Sequence, residues 1–234
     1  MVGLLSKIDA RWGWLALSTY FAVTGLWAPD VSYKVGLLYW GIDVLRFWII
    51  PFAMLLLANR LSRDEPKKET PTLSTERFSD AEKVARFIGG VLLCYFSISL
   101  CSRIFSAIAG PILHTTFGIP NGHDTLAAMR SRYMGLERGL VVFYLSLTAA
   151  VLEEVFYRGL ANQLAGVFKR ASINRTVYYL IGVGLFSAYH WPSGAYSIGN
   201  AMGIGLVSCI MYRATGKLSI VVVSHFLLDF YILI

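Results

Sequence analysis

The chain has 234 residues, 56% of them hydrophobic and only 15% charged, with a formal net charge of +7. A soluble domain carries about 25% charged residues, so this composition points to an all-α, polytopic transmembrane helix bundle in a single domain. The apolar runs are continuous rather than alternating, which excludes a β-barrel. Basic residues sit in short connections, which suits a membrane protein facing anionic lipid and excludes a nucleic-acid binder.

About seven spans are expected, the first over residues 12–27 and the second over 35–57. Lys7 and Arg11 precede the first, which lacks a small-residue cleavage site and reads as a retained helix rather than a signal peptide. Asp43 and Arg46 are three residues apart in the second, share a face and can pair, and Arg103 is another partner for that carboxylate. Residues 60–86 form the one long polar segment, broken by Pro66 and Pro71, and read as a cytoplasmic linker. Within it, Ser79-Asp80-Ala81-Glu82 carries a helix-cap residue with acids in the first turn.

The third span is expected over 87–109, followed by a mixed loop over 111–138 with turn residues Pro120-Asn121-Gly122. His114, His123 and Asp124 fall in that loop, at a spacing that matches no metal-ligand pattern. The fourth span covers 139–164 and is followed by Lys169, Arg170 and Arg175. The fifth covers 177–191 and ends at Pro192. The sixth covers 196–212, where Gly199, Ala201, Gly203 and Gly205 let a neighbouring helix approach closely. The seventh covers 218–234. Cys94, Cys101 and Cys209 lie in apolar runs and read as small core residues. The bias of Lys and Arg places the N-terminus in the cytoplasm and the C-terminus outside.

Three polar clusters interrupt these apolar runs. In the fourth span, Glu153, Glu154 and Arg158 cost roughly 2.5–3.5 kcal/mol each on insertion scales, so they mark a functional site by default. The bland alternative is an internal ion pair that staples a bundle. Glu154 and Arg158 share a face at i, i+4 and can pair. Glu153 is turned about 100° away and is free to transfer protons while its neighbour is held ionised. The second cluster ends at His190, in Phe186-Ser-Ala-Tyr-His. The third is His225-Phe-Leu-Leu-Asp229, where an acid one turn away can fix a histidine tautomer. A carboxylate base, two imidazoles and an orienting acid can activate a water and stabilise an oxyanion without a serine or cysteine. Hydrolysis of a peptide bond in a membrane-associated protein or peptide is the natural reaction.

Glu-Glu-x-x-x-Arg, Phe-x-x-x-His and His-x-x-x-Asp, in that order from about residue 149 to the end, resemble the CPBP family. These are the CAAX proteases and bacteriocin-processing enzymes, also called the Abi family, related to the Ras-converting prenyl endopeptidase. The resemblance implies a glutamic-type intramembrane endopeptidase of a bacterial or archaeal cytoplasmic membrane, working without a cofactor. It implies that Glu153 and His190 activate water, that His225 and Asp229 stabilise the oxyanion, and that Glu154 and Arg158 support them. The family often has Asn at the last position. Asp229 can donate only if protonated; otherwise it orients His225. Three readings compete with the protease. Zinc on His190, His225 and Glu153 would make a metal-dependent hydrolase. A structural polar cluster would suit a membrane immunity or scaffold protein. Buried carboxylates also serve as relays in a proton-coupled transporter.

Overall fold

The computed structural model describes residues 44–50, 52–53, 79–122, 138–166, 168 and 170–234. The chain divides into two units, Met1–Arg77 and Phe78–Ile234. In the first, the described residues are helical, with a π-helical stretch at Leu45–Ile49. The expected first span, the Asp43–Arg46 pair, most of the polar linker, His123 and Asp124 lie outside the described residues.

The second unit opens on α1, Asp80–Phe117. Its start is fixed by a capping box: Ser79 Oγ accepts from the Glu82 amide at 3.2 Å, and Glu82 Oε2 accepts from the Ser79 amide at 2.7 Å. It ends at Gly118, whose φ of 66° suits a left-handed cap. This helix overruns the expected 87–109 span at both ends. Residues 80–86 are its first two turns, as the cap residues at Ser79–Glu82 suggest, and Pro111 lies inside it rather than in the loop. Ile88, Leu92, Phe96, Leu100, Ile104, Ile108 and Ile112 recur every fourth residue along α1 and are all exposed. Only 17% of its most apolar window is buried, so this is not the core helix of a soluble protein. The face suits lipid.

Next, α2 (Arg138–Glu154) passes through a π-helical turn at Val155–Leu160 into α3 (Ala161–Gly166). Likewise α4 (Ala171–Tyr179) passes through a second π turn at Leu180–Leu185 into α5 (Phe186–Tyr189). A 3-10 turn at Trp191–Ser193 leads to α6 (Ala195–Thr215), and α7 (Leu218–Leu233) completes the described elements. Among the described residues there is no strand. Among the described residues, two helices, α1 and α6, are long and apolar enough to cross a membrane. The other long helical segments are divided by their π turns into shorter pieces, and α7 is apolar but shorter.

The most extensive interface is α6 on α1. A side chain at Gly203 would collide with the backbone of Cys101 and Ser102, and one at Gly199 with Phe105 and Ser106. Small residues on α6 thus bring two backbones into contact. Close packing gives dispersion a return that hydrocarbon solvent cannot supply through the hydrophobic effect. The buried core joins Val91, Cys94 and Ile98 of α1 to Tyr157, Phe186, Ile204, Ile220 and Leu228.

Candidate active site

Glu154 and Arg158 are both completely buried. Arg158 Nε lies 3.0 Å from Glu154 Oε2, an ion pair by distance across the turn where α2 becomes π-helical. The guanidinium also sits over the Phe186 ring, 4.4 Å from its centroid, a cation–π contact. Its two terminal nitrogens have no hydrogen-bond partner among the described residues. A charge this deep is held by its counter-ion and the aromatic face, and removing either leaves it costly.

The second oxygen of Glu154 accepts from His225 Nδ1 at 2.7 Å. The carboxylate therefore bridges a guanidinium on one side and an imidazole on the other. With Nδ1 committed to Glu154, the Nε2 edge of His225 turns toward two further acids. Glu153 Oε2 is 3.8 Å away and Asp229 Oδ2 is 3.5 Å away. His225 is 3% exposed, Glu153 22% and Asp229 23%, so the two acids form the open side of the cluster. The spacing argument expected Asp229 to hold the ring nitrogen that sets the tautomer. Glu154, from another helix, takes that nitrogen, and Asp229 faces the other edge.

His190 lies at the end of α5, half-buried, with Nδ1 2.8 Å from the Phe186 carbonyl. A carbonyl oxygen only accepts, so Nδ1 carries a proton, and when the ring is neutral Nε2 presents a lone pair. This backbone bond folds the ring back one turn. The helix carrying it also starts at Ala171, six residues before the expected span, so His190 stands above a longer segment than expected. Phe186 is the hub between the imidazoles: its centroid is 4.9 Å from that of His190 and 6.2 Å from that of His225, with Tyr157 at 5.1 Å. His190 and Glu153, expected to act as a pair on the water, are not within ion-pairing distance of 4.0 Å.

Glu153, Glu154, Arg158, His190, His225 and Asp229 therefore converge from three helical segments around Phe186. Among the described residues, no group of three or more His, Cys, Asp or Glu side chains is placed to hold a metal ion. His114, in the segment where a second site was weighed, is exposed near the end of α1 and bonds the Ile119 carbonyl at 2.8 Å. Two features escape spacing arguments: the π turns at Val155–Leu160 and Leu180–Leu185, which contact each other, and the central position of Phe186. An aromatic fixed four residues before His190 was the available signal for the latter.

Residues 136–231, from the start of α2 almost to the end of α7, match the family model described as type II CAAX prenyl endopeptidase Rce1-like. No curated protein and no solved structure matches the chain. The similarity to the Rce1-like family of type II CAAX prenyl endopeptidases thus takes in the whole cluster of acids, arginine and imidazoles, over residues 136–231 of the chain.

Proposed function

We propose that this chain is a multi-pass intramembrane endopeptidase, of about seven spans, that hydrolyses a peptide bond in a membrane-associated protein or peptide. One observation carries the reading. His225 is held at Nδ1 by the buried Glu154 and offers Nε2 to the partly exposed Glu153 and Asp229. A structural staple would satisfy its charges inward; here two carboxylates stand at the open side.

In this reading, Glu153 takes a proton from water as the water oxygen attacks the scissile carbonyl carbon. The lone pair that His190 Nε2 presents when the ring is neutral is a second acceptor. His225, once Nε2 carries a proton, donates to the tetrahedral oxyanion, and Glu154 keeps the ring aligned for it. Collapse of the intermediate breaks the C–N bond, and the proton held by Glu153 passes to the leaving amine. Asp229 orients the Nε2 edge, or donates when protonated. Arg158 pairs with Glu154 and fixes its position. No step requires a cofactor.

The test is cleavage by Glu153→Ala beside the wild type, with folding followed in both. Lost cleavage in a normally folded variant supports catalysis. Unchanged biological activity would instead assign the cluster to a scaffold or immunity protein.

A further inference from the structure

His190 stands where regular helix gives out. It caps the four-residue α5 at φ −83° and ψ 5°, and the 3-10 turn Trp191–Ser193 follows at once. Its carbonyl accepts from the Ser193 amide at 3.0 Å, and the Trp191 carbonyl accepts from the Gly194 amide at 3.1 Å. The turn therefore fixes the peptide that follows His190, and with it the direction in which the ring leaves the chain. Its own side chains do not anchor it: Trp191 is 64% exposed, and Pro192 is exposed as well. Gly194 and Ala195, just beyond it, are buried.

The loop after α1 packs against these two residues. Gly118 closes α1, His114 Nδ1 donates to the Ile119 carbonyl at 2.8 Å, and the Pro120 carbonyl accepts from the Ala195 amide at 2.8 Å. That amide is one of the orphan donors at the start of α6, whose N-cap makes no side-chain bond. Gly122 and Gly194 then meet backbone to backbone. Their φ angles are 78° and 94°, a region that favours glycine. A Cβ on Gly194 would stand 2.6 Å from Gly122 Cα and 2.7 Å from the Pro120 oxygen, and one on Gly122 would overlap the Ser193 carbonyl. Only backbone atoms are met, so no side chain can swing aside to make room. The start of α6 is in turn tied to α1, where Ser106 Oγ donates to the Tyr196 carbonyl at 3.0 Å. Loop and turn thus form one backbone unit seated on the α1–α6 interface.

We propose that this loop braces His190: Gly122 and Gly194 are positioning residues that set the imidazole by holding the Trp191–Ser193 turn against Pro120. Two glycines in contact cost conformational entropy on folding, and the return is a turn that cannot drift. His190 needs that support. Its ring is half-buried, and its Nδ1 bond reaches only one turn back along its own helix, to Phe186. An acceptor in a reaction loses its use when it is displaced by about an ångström. That His190 serves hydrolysis rests on the peptidase reading; that the brace sets its ring does not.

The experiment records the ring resonances of isotope-labelled histidine in the full chain in detergent micelles. The chain has four histidines, and His190→Gln identifies the resonance of His190. Gly194→Ala pushes the turn off the loop. Ala195→Pro is the second variant, should Gly194→Ala not fold. It removes the amide bonded to Pro120 at the first position of α6, where proline is tolerated, after a residue whose ψ of 173° suits a following proline. Gly118→Ala is the control: its φ is also positive, at 66°, but open space surrounds its Cβ. The His190 resonance should shift in Gly194→Ala and in Ala195→Pro and stay in place in Gly118→Ala. With the same two variants kcat/KM for cleavage should fall by about tenfold or more, and the loss should vanish when His190 is already Gln. An unmoved His190 resonance in a folded Gly194→Ala or Ala195→Pro protein overturns the inference. So does a shift that Gly118→Ala reproduces, or a loss of cleavage undiminished in the His190→Gln background. The resonances are read without substrate, so a chain whose His190 shifts as expected but which cuts nothing refutes the peptidase and leaves the brace standing.

Discussion

The Glu154–Arg158 pair makes a prediction in which stability and activity separate. Both side chains are fully buried, Nε and Oε2 are 3.0 Å apart, and the guanidinium's terminal nitrogens have no other hydrogen-bond partner among the described residues. Glu154→Gln strands a buried cation, which costs about 3–5 kcal/mol. That is a large share of the roughly 5–15 kcal/mol that holds a typical native protein. Removing both charges in Glu154→Leu/Arg158→Met leaves no uncompensated ion, and replacing a buried pair by apolar groups is often neutral or stabilising by about 1–4 kcal/mol. His225 then loses the acceptor 2.7 Å from its Nδ1, which returns about 1–3 kcal/mol of penalty. The double variant should thus unfold near the wild type in a denaturant titration in detergent, and well above Glu154→Gln. Its cleavage should nonetheless fall by about 10²-fold or more, because a catalytic ring displaced by an ångström loses that much. A Glu154→Gln protein as stable as wild type, or a double variant cleaving at the wild-type rate, refutes the reasoning.

Three further outcomes follow from the same contacts. Phe186→Ala removes the hub that touches Arg158, Tyr157 and both imidazoles, so it should cost about 3–5 kcal/mol by unfolding and lower cleavage as well. Gly203→Leu forces α6 off the Cys101 backbone and should destabilise by at least about 1–3 kcal/mol, read as a lower denaturant midpoint, whereas Gly89→Leu, with open space at its Cβ, should not. Cleavage should persist after dialysis against a strong chelator, since no metal-holding group is assembled among the described residues; loss restored by added zinc would move the chemistry to a metal-dependent hydrolase.

Much of the fold could be read from residue types, and the reasons for the misses are physical. Continuous apolar runs and the Ser79–Glu82 cap gave helices where helices stand, because both signals are local. The overrun of α1 past Pro111 was hidden, since a proline inside a helix is tolerated where packing re-satisfies the backbone, and Gly118 was the true stop. The π turns beside Glu154 and before Phe186 have no sequence marker: an extra residue per turn is a tertiary compromise. For the site, i, i+4 spacing yielded the Glu154–Arg158 pair because both residues share one helix. The Glu154–His225 bond joins residues 71 apart and depends on how two helices cross, which no periodicity encodes.

The account depends most on water being split at Glu153. Membranes carrying the wild type or Glu153→Gln, matched for folded protein, can be incubated in heavy-oxygen water and their peptides examined by mass spectrometry. The account predicts new carboxyl termini bearing the heavy oxygen with the wild type and none of the same termini with Glu153→Gln. Identical labelled termini in both samples would contradict it.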